Sequence, residues 1–179
     1  MDIIFAEDFQ TFTGTGFSPT PIAGQLDSNI FRATGFSEGQ FFYGEMKVTG
    51  DFARGPSTGG VSSGGVYAFD TDGTNISWGV QPAGSDWTPG TFEIRIQNTT
   101  GNTLSNFMVS YDIFVNNDQG RSGSFNFAYF TDTFPYTAVP SLDYTSPTNA
   151  DNNGFVKISR STRINVDLPA GGYIYLEFN

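Results

Sequence analysis

The sequence predicts an all-β fold, an antiparallel β-sandwich of two sheets, and three observations carry that expectation. Apolar residues recur at every second position in run after run, the period of a half-buried strand, while Gly, Asn, Asp and Pro punctuate the gaps. No segment holds a helical period. The chain has 19 Phe and is 16% aromatic, enough large apolar surface to fill the space between two sheets. At 179 residues it falls within the range of one undivided domain, so a single module over residues 1–179 is expected.

Expected strands fall at 2–9, 29–36, 41–49, 64–70, 75–82, 90–98, 104–116, 122–131, 137–144, 155–168 and 172–178. Within 75–82, Trp78 alternates with Ile76 and Val80 and reads as core. Between 90 and 98, Phe92, Ile94 and Ile96 share one face and Glu93, Arg95 and Gln97 the other, one dry and one wet. The run 104–116 sends Phe107, Val109, Tyr111, Ile113 and Val115 inward, and leaves Asn106, Met108, Ser110 and Asp112 outward. In the last run Ile174, Leu176 and Phe178 go in, and Tyr173, Tyr175 and Glu177 come out. Asp72-Gly73 suits a tight hairpin, and Thr99-Thr100-Gly101-Asn102 can reverse the chain before residue 104. Consecutive antiparallel pairing is expected, since parallel pairing needs long crossovers. The Gly- and Ser-rich stretch 55–65 reads as a long loop.

The charge balance narrows the partners. With 18 Asp and Glu against 8 Lys and Arg, the formal net charge is -10, a field that repels phosphate backbones and anionic lipid. Nucleic acid and membrane surfaces are therefore not expected as partners, and the charge itself serves solubility. No stretch has the apolar length of a membrane span or the build of a signal peptide, so Met1 reads as an added start and any export signal as already removed.

Catalysis is disfavoured by what the chain lacks. It contains no Cys and no His, so no disulfide forms, a Ser nucleophile has no imidazole to activate it, and the commonest transition-metal ligand is missing. The five Glu, at 7, 38, 45, 93 and 177, put no two carboxylates on one strand face, as a glycosidase pair often requires. Asp70 and Asp72 have even spacing but run into a turn. Asn149-Ala150-Asp151-Asn152-Asn153-Gly154 begins like a calcium loop, yet Arg160 stands at the twelfth position where a bidentate Glu is needed. A structural calcium ion between Glu7, Asp8 and a loop carboxylate is the one cofactor considered. Asn75-Ile76-Ser77 and Asn98-Thr99-Thr100 fit a glycosylation pattern that recurs by chance.

Carbohydrate recognition asks for aromatic faces that stack on sugar rings, bordered by amide, carboxylate and guanidinium groups. Two patches answer. The outward row Tyr173 and Tyr175, with Glu93, Arg95, Gln97 and Asp112 on neighbouring outer faces, is one. The loops are the other: Gln81, Asp86 and Trp87, then Asn117, Asp118, Gln119 and Arg121. Exposed Tyr is also common on any sheet, and Trp87 reads equally as a plug at the sandwich end.

Several runs, among them Asp51-Phe52-Ala53-Arg54-Gly55, Gly60-Val61-Ser62-Ser63-Gly64-Gly65-Val66-Tyr67-Ala68-Phe69, Gly84-Ser85-Asp86-Trp87-Thr88-Pro89-Gly90 and Ser124-Phe125-Asn126-Phe127-Ala128-Tyr129, together resemble a family of jelly-roll-like accessory modules of bacterial secreted and cell-surface multidomain proteins. The likeness spans almost the whole chain. It implies a jelly-roll type of sandwich, secretion or display at the cell surface, and covalently linked neighbouring domains. Such modules often continue into an acidic segment that is missing after Asn179, so the chain reads as a trimmed piece of a larger protein, expected to be monomeric. The favoured function is a non-catalytic carbohydrate-binding module that tethers an attached enzyme to an extracellular polysaccharide. The alternative is a structural or adhesion module without glycan binding.

Overall fold

In a computed structural model, which describes residues 3–179, the chain is all-β with several antiparallel sheets. It divides into units 1–92 and 93–179, a boundary that falls inside a strand. The first unit holds β1 (Phe17–Ser18), β2 (Leu26–Asp27), β3 (Phe31–Thr34), β4 (Pro56–Ser57), β5 (Gly65–Asp70), β6 (Ile76–Gln81) and the opening of β7 (Thr91–Gln97). The second holds the rest of β7, β8 (Phe107–Asn116), β9 (Ser124–Phe125), β10 (Phe127–Thr131), β11 (Thr137–Ala138), β12 (Tyr144–Thr145), β13 (Phe155–Ile164) and β14 (Tyr173–Phe178). Among the described residues no helix is long and apolar enough to cross a membrane.

In the first unit β5 and β6 form an antiparallel hairpin, from Gly65 opposite Gln81 to Asp70 opposite Ile76. Its turn is built by carboxylates acting locally. Gly73 N donates to Asp70 Oδ1 at 2.6 Å, and Thr74 N and Asn75 N donate to Asp72 Oδ1 at 2.9 and 2.8 Å. Gly73 sits at φ 88°, where a side chain would be strained. The core of this unit is aromatic. Phe17 is fully buried against Phe41 (4.9 Å between centroids), Trp78 (6.0 Å) and Phe52 (6.5 Å), and Trp78 stacks on Phe92 at 4.1 Å. Trp78 is thus a core ring, in keeping with its alternation.

Asp51 through Gly55 tie that core to the backbone around it. Phe52 fills the interior, and the buried Asp51 carboxylate pairs with Arg54 at 2.6 Å while accepting from Ser37 Oγ (3.0 Å) and Glu38 N (3.2 Å). Arg54 Nε in turn donates to Gly64 O at 2.9 Å. The Gly- and Ser-rich stretch is therefore held by this network, and its first residues form β4.

In the second unit β8 and β13 make a ribbon of ten registered pairs, from Phe107 opposite Ile164 to Asn116 opposite Phe155. β10 pairs with β14 over five residues, Phe127 opposite Phe178 through Thr131 opposite Ile174, and β7 and β11 flank that pair. Tyr111 on β8 meets Phe127 (5.8 Å) and Phe178 (5.0 Å), so the ribbon and the sheet share one Phe-rich interior. Tyr111 also donates its hydroxyl to Leu142 O at 2.8 Å, satisfying a polar group that would otherwise be stranded there.

The expected strand at 41–49 is replaced by coil with a single bridge, Lys47 to Phe17. Only Phe41 of its large residues is buried, while Phe42 and Met46 face solvent, so no apolar face exists to hold a strand. Of the expected strand 2–9, residue 2 lies outside the described residues and 3–9 form no strand. Pairing also departs from the consecutive expectation. β8 pairs with β13 and β10 with β14, and two pairs, β1–β2 and β4–β5, are parallel. A parallel bridge of two residues needs only a short loop to return the chain, not the crossover that a full parallel sheet demands.

The reversal at 99–102 forms but does not make a hairpin. Asn98, 0% exposed, donates Nδ2 to Asn102 O (2.7 Å), Leu168 O (2.9 Å) and Pro169 O (3.1 Å), and accepts from Thr100 N and Oγ1. These bonds deliver residue 104 to Leu168 instead of to β7. They also leave the Asn98 amide no room for a glycan.

Candidate functional site

The sheet of the second unit turns one face inward, and alternation decides what the other face carries. Phe127, Tyr129 and Thr131 are buried on one face of β10; on the other, Ala128 is buried as well and Phe130 is half-buried beside its cross-strand partner Tyr175. Their rings lie 4.6 Å apart and within 5° of parallel. Tyr173 follows at 6.3 Å from Tyr175, and the Arg95 guanidinium lies 5.0 Å from the Tyr173 ring centroid. Tyr173, Tyr175 and Arg95, expected together from the sequence, are brought together.

Asp132 anchors this group. Its Oδ2 accepts from Tyr173 N at 3.0 Å and its Oδ1 from the Tyr175 hydroxyl at 3.2 Å. Partial burial, followed by the adjacent Asp132 carboxylate, raises the Tyr175 phenol above its ordinary value, so it stays a neutral donor. Beyond Asp132 the chain turns back toward β11 and opens a groove of about 590 Å³ lined by residues 130–136. Phe134 (38% exposed) and Tyr136 (54% exposed) stand in it, and Asn179 Nδ2 donates to the Tyr136 hydroxyl at 3.1 Å. The groove is shallow and open to solvent along its length.

The other expected residues are placed differently. Glu93, expected on the wet face, is only 2% exposed, because alternation assigns a face but not how deeply that face is covered. Gln97 is exposed at the end of β7, where its Nε2 donates to Gly171 O at 3.0 Å. Asp112 belongs to the β8–β13 ribbon, paired with Lys157 at 2.8 Å and accepting from Ser159 Oγ at 2.6 Å. The Lys157 bond, then the Ser159 bond, hold its carboxyl below the usual range. Its described partners lie on the ribbon, not on the strands that carry the tyrosines.

The loop residues do not present a sugar platform in the same way. Trp87 is half-buried in the first unit, its ring 5.2 Å from Phe92 and its backbone N–H bonded to Gly35 O at 2.5 Å. Gly90 runs directly beneath the ring, where a Cβ would collide with it. Its placement is that of a plug. Arg121 is exposed in the loop before β9, its backbone N–H donating to Gln119 O. Asp151 accepts from Asn153 N at 2.9 Å and Asn149 O accepts from Asn117 Nδ2 at 2.8 Å, so the calcium-like loop is turn chemistry. Arg160, at its twelfth position, lies over the Tyr144 ring. Glu7 and Asp8 accept from Phe9 N and Gln10 N, and among the described residues no three His, Cys, Asp or Glu side chains gather for a metal.

Sequence reasoning missed Phe130, Asp132, Phe134 and Tyr136. The signal for Phe130 was present: once Phe125, Phe127 and Tyr129 are turned in, Phe130 is turned out. No family model, curated protein or solved structure matches the chain.

Proposed function

We propose that the chain is a non-catalytic carbohydrate-binding module on a jelly-roll type of β-sandwich, secreted or held at the cell surface beside other domains, and that its glycan lies along the outer face of β14 and the groove at 130–136. The observation that carries this reading is the Phe130–Tyr175–Tyr173 row clamped by Asp132 and capped by Arg95. Aromatic rings give apolar surface for the C–H faces of a sugar, while the carboxylate, phenol and guanidinium give hydroxyls somewhere to bond. The shared interior of the ribbon and the sheet in the second unit supports a sandwich. The lack of any His or Cys in the sequence supports binding without turnover.

Such a face binds weakly by itself and gains from the attached enzyme, whose local concentration on the polymer it raises. Affinity electrophoresis against a panel of soluble polysaccharides tests the reading. Retention by at least one glycan, lost in Tyr136→Ala and in Tyr175→Ala with the circular-dichroism spectrum unchanged, is the expected outcome. Retention by none would favour a structural or adhesion module.

A further inference from the structure

We infer that the groove at 130–136 takes neutral, hydroxyl-rich glycans and turns away those bearing carboxylates or sulfates. The inference rests on the glycan-binding reading above and adds the charge class of the ligand. Residues 91–97, 127–138 and 173–179 supply the outer strands and the groove, and among them Glu93, Asp132 and Glu177 face a single basic residue, Arg95. That guanidinium is engaged over the Tyr173 ring.

Asp132 sets the selection. Each of its oxygens already takes one protein donor, from Tyr173 N and the Tyr175 hydroxyl, and an ionised carboxylate has about four acceptor sites in all. About two remain, oriented by the bonds already made, and they can only accept. A sugar hydroxyl can donate to them. The carboxylate of a uronate or a sulfate group cannot, and either brings like charge next to the Asp132 carboxylate. The net charge of -10 opposes the approach of a polyanion over a longer range.

The test is affinity electrophoresis of the whole chain against two sets of polymers at low and high salt. Galactomannan, β-glucan and xylan are the neutral set; alginate, and polygalacturonate in its methyl-esterified and de-esterified forms, vary the charge on the polymer. Retention is expected from a neutral or esterified polymer and not from alginate or de-esterified polygalacturonate. Asp132→Asn should weaken the neutral interaction about tenfold, the worth of one charge-assisted hydrogen bond, and strengthen retention by the acidic polymers. Thr133→Lys, an exposed position in the same groove, should do the latter while keeping Asp132 and its bonds, which guards against a misfolded Asp132 variant. Salt-sensitive retention by the acidic polymers equal to that by the neutral ones would overturn the charge class and leave glycan binding standing. Retention by none would overturn both.

Discussion

Two ion pairs of nearly equal length should differ several-fold in what they contribute to stability. Arg54 and Asp51 meet at 2.6 Å with side chains 33% and 3% exposed, whereas Lys157 and Asp112 meet at 2.8 Å with side chains 55% and 39% exposed. Asp51→Ala removes an acceptor from Arg54, Ser37 Oγ and Glu38 N at once. Breaking a buried pair by deleting one partner costs about 3–5 kcal/mol, and the partly solvated Arg54 lowers that to about 2–4 kcal/mol here. Lys157→Ala should cost about 0–1 kcal/mol, since water already screens both ends. In urea, with a slope of about 2 kcal/mol per molar, the midpoint should fall by about 1–2 M for Asp51→Ala and by less than about 0.5 M for Lys157→Ala. Both tryptophans, Trp78 and Trp87, lie in the same unit as Asp51, so their fluorescence reads its loss directly, and far-UV circular dichroism reads Lys157. Equal midpoint shifts for the two variants would refute the claim that burial, not distance, decides the value of these pairs.

Two further outcomes follow from single residues of the second unit. Burial, and then the Asp143 carboxylate, push the Tyr111 phenol well above its ordinary value, so the unfolded chain ionises at about pH 10 while the folded one holds its proton. The Tyr111 contribution to stability should therefore be constant from neutrality to about pH 10 and fall as the pH rises beyond it. Tyr111→Phe should blunt that fall at a cost of about 1 kcal/mol near neutrality for the lost bond to Leu142 O, both read by urea unfolding from pH 7 to 11. Asn98→Ala should destabilise by at least about 2 kcal/mol, because three carbonyls and Thr100 lose their partner in a site without solvent. A drop of the urea midpoint with unchanged slope checks it.

Which residues face inward was legible along the long runs; which strands lie side by side was not. β5, β6, β7 and β14 each fall inside an expected run, within a residue or two of its ends, and β8 and β13 occupy most of theirs. β8 carries a full apolar row, and there the local pattern and the final burial agree; β13 has only Val156, Ile158 and Ile164 on its apolar side, with Arg160 and Thr162 between, and β5 is buried on both faces. Alternation reports only that a side chain has a dry side to face. It does not report what lies across the ladder, and so β8–β13 and β10–β14, separated by long stretches of chain, escaped a reading that favoured consecutive pairs. Pairs as short as β1–β2 and β4–β5 leave no periodic trace at all, because two residues cannot alternate over a measurable length.

The same distinction explains the site. Tyr173, Tyr175 and Arg95 were legible as outward residues, but Phe130 and Asp132 join them only through the β10–β14 register. Once that register exists, the spacing of the rings is no longer a matter of side-chain choice. Directly opposed residues in an antiparallel pair hold their Cβ atoms about 4.5–5.5 Å apart, and the Phe130 and Tyr175 rings stand at 4.6 Å. Alternate residues of one strand lie about 6.6 Å apart, and the Tyr173 and Tyr175 rings stand at 6.3 Å. The backbone thus sets both intervals, and Asp132 fixes the row further by gripping one backbone N–H and one phenol. Ring order is settled when the sheet folds, so a ligand laid along the row does not have to supply the entropy of arranging it. A polymer whose rings repeat at some other interval would meet this row at one position only.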